Sequence, residues 1–493
     1  MTIAVPTAPS LALPLRDRRP HRASTRHESS GCIEFKVLWS AFVYLAAVVA
    51  LQMISPATRT LSLIALIVLA ICTRKGPIQA MSLVTFVILF NRAFAPERPV
   101  LDALRWVLPL ACAVRVSIDY RPRSRATAPW KWPLAFYAAV ILLLVIAVSS
   151  NPELSILKLG SWFAVTFVAL LAFEHSGTSP KYWFRWFYSL YCATLLFSLP
   201  LLLVSAGRFA NGTGFQGIFW HPQSFGVYIA PFTAVVTASL LFGEARGWLN
   251  AILASLGWYM VFASRCRTAA LAVCLGLALS LLIMAILRPD LRRRLARSGV
   301  VIGIFALSGA SILGIGFYGE QISEEVGFFS SKGKFGGLTD LFAPHGLASS
   351  RSAQVSQLLA TISDAPLAGT GFGLSARSIA QDIERDETFG VPVGAYTEQG
   401  FLPLAVMAQT GIIGSAAWLI MFFAVCRPVV RRGSLLILVL FWSSFFINFG
   451  EMVFFASGGL GAQLWLLFGL CLSASAKSDA TVTPSRTRLL AAH

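Results

Sequence analysis

Three short stretches hold polar groups that a plain membrane anchor does not need. "GFQGIFWHPQSFG" places His221, Pro222 and Gln223 at the start of an apolar run. "FASRCRTAALAVCLG" places Arg265 and Arg267 at a tight turn between two such runs. "GAYTEQGFLPLAVMAQTGIIG", residues 394–414, sets Glu398 at the mouth of a third. A cation at a helix N-terminus opposes the helix dipole, so Arg267 there is better explained by an anion that guanidinium and free helix N–H groups hold together. The plainer reading is an arginine reaching for lipid headgroups. His221 reads equally as part of an interfacial aromatic cluster with Phe219 and Trp220, or as a polar group with a task. Glu398 in the first turn of a span is either a carboxylate favoured by the helix dipole or a base beside the arginines.

The elements that must position these groups follow from composition. The chain has 493 residues, of which 56% are hydrophobic and only 13% charged, with a mean hydropathy of +0.71. Soluble domains carry about twice that fraction of charge. Apolar runs of spanning length recur from Phe35 almost to the end of the sequence, and no short alternating segments of a β-barrel appear. The expected fold is an all-α polytopic integral membrane protein. A net charge of +18 reads as basic loops orienting the chain in the membrane, with no nucleic acid as partner. The eight cysteines are scattered without a CxxC pair or a Cys/His cluster, so no metal or cofactor is indicated.

Apolar length and charged punctuation predict spans near 36–53, 60–73, 77–91, 101–117, 132–149, 155–173, 183–206, 223–243, 248–263, 268–287, 299–317, 399–425, 434–449 and 453–475, or about 12–14 crossings. The second is short for a full crossing. Residues 1–34 read as a basic cytoplasmic tail without a cleavable signal, 35–317 as an N-terminal bundle, 318–398 as a large external loop, 399–475 as C-terminal helices and 476–493 as a second tail. Alternate loops are basic, among them Arg74-Lys75, "RPRSRATAPWKW", "RPDLRRRLARS" and "RPVVRRG"; the intervening set, including "SPATRT", "SSNPELS", "SRCRT" and 318–398, is poorer in Lys and Arg. The positive-inside rule then puts both termini in the cytoplasm and the three polar stretches outside.

The loop 318–398 is far longer than an ordinary connection, and long loops carry function. Its "SSRSAQVSQLLATI" has helical spacing, and "GTGFGL" closes that part with a glycine turn that fits neither a P-loop nor a dinucleotide fingerprint. Lys332, Lys334, Arg351, Arg377 and Arg385 are interleaved there with acids and read mostly as solvated charges. Arg105, Lys158 and Glu451 stand in or near apolar stretches; the two basic ones can snorkel to the interface.

In order along the chain, "GIFWHPQSFG", "SRCRTAALAVCLGL", "SSRSAQVSQLLATISDAPLAGTGFG" and "EQGFLPLAVMAQTGIIG" resemble the O-antigen ligase/polymerase superfamily, over about residues 200–425. Its His-Pro-Asn element falls on His221-Pro222-Gln223, with Gln replacing Asn. Its turn arginine falls on Arg267, with Arg265 the second choice, and its loop arginine on Arg351. The ligases' His-Asn motif is replaced here by Tyr396-Thr397-Glu398-Gln399-Gly400. An acidic residue there is more like the exopolysaccharide-polymerase branch.

The resemblance implies a GT-C-like helical glycosyltransferase of the bacterial inner membrane, active at the periplasmic face on glycans carried by undecaprenyl diphosphate. It implies Glu398, Arg267 and Arg351 as catalytic groups, and His221, Gln223, Arg265 and Arg377 as substrate-binding ones. Fixed cations would stabilise a diphosphate leaving group without a metal. Membrane lipids, a chain-length regulator and export proteins would be its partners. A ligase moving finished glycan to a lipid core is the near rival. A transporter or flippase is the distant one, and would call for ionisable groups deep in spans, broken helices and an internal repeat.

Overall fold

The computed structural model describes residues 35–95, 99–119, 129–209, 214–242, 248–287, 352–374, 384–385, 390, 392–394 and 400–477. Among them the chain is built of α-helices: α1 (Trp39–Ile54), α2 (Pro56–Cys72), α3 (Gly76–Ile88), α4 (Leu104–Asp119), α5 (Lys131–Val148), α6 (Pro152–His175), α7 (Pro180–Ser198), α8 (Pro222–Leu241), α9 (Trp248–Ala263), α10 (Arg267–Leu287), α11 (Ser352–Asp364), α12 (Leu402–Arg432), α13 (Leu435–Phe446) and α14 (Gly459–Lys477). Short 3-10 turns and one short antiparallel pair, β1 (Glu384–Arg385) with β2 (Pro392–Gly394), accompany them. The protein is a polytopic helical membrane protein. Every expected span finds its helix except 299–317, which lies outside the described residues.

Among the described residues, seven helical segments are long and apolar enough to cross a membrane, and several others are shorter apolar helices. The second span begins earlier than expected. Ser55 caps α2, accepting from the Thr58 N–H while the Thr58 hydroxyl accepts from the Ser55 N–H, and Pro56 opens the helix. This cap recruits residues 56–59, which polarity alone assigns to the loop.

Helices α3, α8, α13 and α14 are buried nearly all round and form the centre, as expected of helices without a polar face. Helices α1, α5, α9 and α10 keep large apolar side chains exposed on one side, among them Val43, Leu143, Ile252 and Leu282. Lipid is the solvent that tolerates such a belt.

The loops separate into two ends. At one, Lys75 lies 4.3 Å over the Tyr182 ring, Arg74 pairs with Asp119, and Arg185 donates to the Lys36 carbonyl. These belong to the basic loops. At the other, the Leu101 N–H donates to the Thr60 hydroxyl, Asn91 N–H to the Ile218 carbonyl and Phe215 N–H to the Ala263 carbonyl, and Arg385 pairs with Glu153. These belong to the loops poor in Lys and Arg. Among the described residues, these contacts join loops within one set.

Candidate functional site

The first polar stretch is fixed by a buried asparagine. Residues 214–221 run from the end of the α7 region to α8, and Phe90 bridges Phe219 in antiparallel fashion. Asn91 Nδ2 donates to the carbonyls of Ala206 and Gly217, each at 2.8 Å, and Asn91 Oδ1 accepts from Gln216 Nε2 at 3.2 Å. Such a fully committed buried amide makes the loop rigid.

His221 ends this loop as the N-cap of α8, with Pro222 in the first helical position. Its Nδ1 accepts from the Gln223 backbone N–H at 3.1 Å, and its ring meets Phe209 edge-on at 4.9 Å. A neutral imidazole that accepts at Nδ1 carries its proton at Nε2. His221 is therefore arranged to donate a hydrogen bond from Nε2. Gln223 contributes its backbone N–H to the cap.

The arginine turn packs directly beneath this loop. Ser264 follows α9, Cys266 precedes α10, and the Cys266 N–H donates to the Ser264 hydroxyl at 3.3 Å. A β-carbon on Gly214 would fall 2.5 Å from the Ser264 carbonyl and 3.2 Å from Pro222 Cβ, and one on Gly226 would fall 2.6 Å from Cys266 Cβ. Hence the His221 cap and the turn bearing Arg265 and Arg267 occupy one corner. Arg267 is the first residue of α10, as expected, and both arginines are half-buried. Arg265 has φ of 53°, and is the one non-glycine with positive φ among the described residues. That backbone costs about 1–3 kcal/mol, and such strain gathers where geometry matters to function.

The start of α12 reaches the same corner through the segment after α13. Phe449 meets Phe401 edge-on at 5.6 Å, and Gly450 presses on Thr268, next to Arg267. Gly450 stands in no motif of the sequence. The tertiary contact brings this segment in, and no local pattern announces it. Helix α12 begins at Leu402, with Phe401 at its N-cap and Pro403 in its first turn. Pro403, which the interior of a helix rejects, fixes the start. Glu398, Arg351 and Arg377 lie outside the described residues.

The glycine turn is the third component. It leaves α11 and docks on a break in α12 at Gly411, whose φ of 61° and ψ of −167° only glycine adopts readily. In an unbroken helix the N–H groups of Ile412 and Ile413 would bond the carbonyls of Ala408 and Gln409. Here Ile412 N–H donates to Pro366 and Ile413 N–H to Leu367, while the Ala408 and Gln409 carbonyls accept from Thr370 and Gly371. The turn supplies a partner for each of the four separated groups, as irregular backbone in a membrane protein requires. Lys158 Nζ donates to the Gly373 carbonyl at 2.5 Å, and Gln409 Oε1 accepts from the Gly373 N–H at 2.9 Å. The ammonium of Lys158, which could snorkel, bonds the turn. Arg105 likewise pairs with Asp102 at 3.4 Å.

The helical bundle thus gathers two arginines and a histidine cap in one corner and docks a glycine turn on the break in α12. Residues 251–419 match the family model described as O-Antigen ligase. The match bears out the resemblance to the O-antigen ligase/polymerase superfamily and supports a function of that type. It runs from α9 through the arginine turn, α11 and the glycine turn into α12, and begins after the His221 loop. No curated protein matches the chain.

Proposed function

We propose that this protein is an inner-membrane polysaccharide polymerase, joining oligosaccharide repeat units carried on undecaprenyl diphosphate at the periplasmic face. The observation that carries the reading is the convergence of the Arg265–Arg267 turn, the His221 cap and the start of α12 at the end poor in Lys and Arg. In the reaction, a hydroxyl of the incoming unit attacks the anomeric carbon of the growing chain. The bond from that carbon to the diphosphate oxygen breaks, its electron pair leaves with undecaprenyl diphosphate, and the hydroxyl proton passes to a base.

Arg267 and Arg351 stabilise charge on the departing diphosphate, with Arg265 and Arg377 binding substrate phosphate or sugar. Glu398 takes the acceptor's proton or orients its hydroxyl. His221 donates from Nε2 to the substrate, since its Nδ1 already accepts a hydrogen bond, and Gln223 binds sugar beside it. The acidic "TEQG" in place of a His-Asn motif favours polymerase over ligase. The transporter reading loses support at the break in α12, because the freed backbone groups bond to the glycine turn and not to a cargo.

Sizing lipid-linked glycans by mass spectrometry in a strain lacking the protein tests this, with a complemented strain as control. Single repeat units accumulating on undecaprenyl diphosphate are the expected result. Long polymer stranded on the lipid would mean ligase, and an unchanged pool would sink both.

A further inference from the structure

Lys158 lies near the start of α6, and among the described residues no carboxylate stands within ion-pair distance of it. Its stem lies flat against the backbone of Gly373, where a β-carbon would fall 2.6 Å from Lys158 Cδ, and its ammonium donates to the Gly373 carbonyl. Other groups hold residues 371–373. Gln409 accepts from the Gly373 N–H, Ser149 abuts Gly371, and the Phe372 ring sits against Trp162 and Phe455 at 6.0 and 5.1 Å. The turn so gripped completes the broken α12 and is the direct continuation of α11. Helix α11 in turn seats Leu358 against Ala405 and Ala408, with Met452 alongside.

A cation taken partly out of water and given one neutral acceptor is a costly way to fill space. The same ammonium is well suited to pinning the backbone of a glycine turn in which Phe372 supplies the one buried ring. We infer that Lys158 is a positioning residue: it locks the Gly369–Gly373 turn into the α12 break and thereby sets the seat of α11, whose preceding residue in the chain is Arg351. The effect on activity rests on the proposed function, whereas the effect on the seat of α11 does not.

The experiment uses the full chain in membranes, with Leu358→Cys as reporter. Leu358 is 3% exposed, so its cysteine is protected from a water-soluble maleimide while α11 is docked; labelling at that position is read by mass spectrometry. Lys158→Met is expected to raise the labelling rate about tenfold and Lys158→Arg to restore protection, as for a charge-assisted hydrogen bond. Without the reporter, Lys158→Met is expected to lower polymerisation turnover about tenfold, with less than a twofold change in KM for the lipid-linked unit, and Arg is expected to restore it. Protection and turnover both as in wild type would overturn the inference, leaving the lysine an ordinary interfacial one. Labelling that rises while turnover stays at the wild-type level would overturn the positioning role. A wild-type protein without polymerase activity would refute the proposed function, and labelling would still decide the lock. If Lys158→Met does not accumulate, Gln409→Leu removes the other side-chain bond to Gly373, and unchanged protection in that variant would likewise overturn the lock.

Discussion

Gly450 stands against Thr268 so closely that a β-carbon on it would fall 2.0 Å from the Thr268 hydroxyl. Thr268 follows Arg267, and Phe449 contacts Phe401 just before α12, so this one contact couples the arginine turn to the start of α12. Gly450→Ala is expected to push the two apart and to lower polymerisation at least about tenfold, since small misplacements of charged groups are costly to rate. Thr268→Ala in the same chain removes the nearest colliding atoms and is expected to recover part of the loss. Rates of the single and double variants check this.

Arg265 holds a backbone conformation that suits glycine. Arg265→Gly is expected to relieve about 1 kcal/mol of strain and raise the thermal midpoint in detergent, while activity falls. A variant that is both more stable and fully active would show that Arg265 is not held there for the reaction.

Gly411→Ala is expected to be strongly destabilising. The new β-carbon would meet the Leu367 carbonyl at 2.2 Å in a left-handed backbone, a strain of about 1–3 kcal/mol before the collision is counted. Loss of the glycine turn from α12 should follow, visible as faster maleimide labelling of Leu358→Cys.

His221 has a cap and, on the present reading, a substrate contact, and two substitutions separate them. His221→Ala is expected to cost about 1 kcal/mol of stability by uncapping α8. His221→Asn keeps an acceptor for the Gln223 N–H and is expected to recover the stability but not the activity. Melting curves and turnover measured on both variants decide whether the cap is the whole role.

Much of the bundle is legible locally. Apolar length locates α5, α6, α8 and α10 within a few residues, and loop charge sorts the two ends, because each depends on neighbouring residues and the membrane alone. The break in α12 is not legible: "LPLAVMAQTGIIG" reads as one apolar run, and its interruption depends on a turn some forty residues earlier in the chain supplying four backbone partners. Lys158 fails for the same reason, since its acceptor lies far along the chain. Arg267 and His221 are found correctly as helix-end residues. That the two share a corner depends on Gly214 and Gly226, whose only contribution is the absence of a side chain.

Purified protein in lipid, supplied with only the undecaprenyl-diphosphate-linked repeat unit, isolates polymerisation from every other step. A ladder of lengthening glycan, with one undecaprenyl diphosphate released per bond formed, is the predicted result, and Arg267→Ala should abolish both. No ladder and no release from a folded protein supplied with that unit would rule out a polymerase.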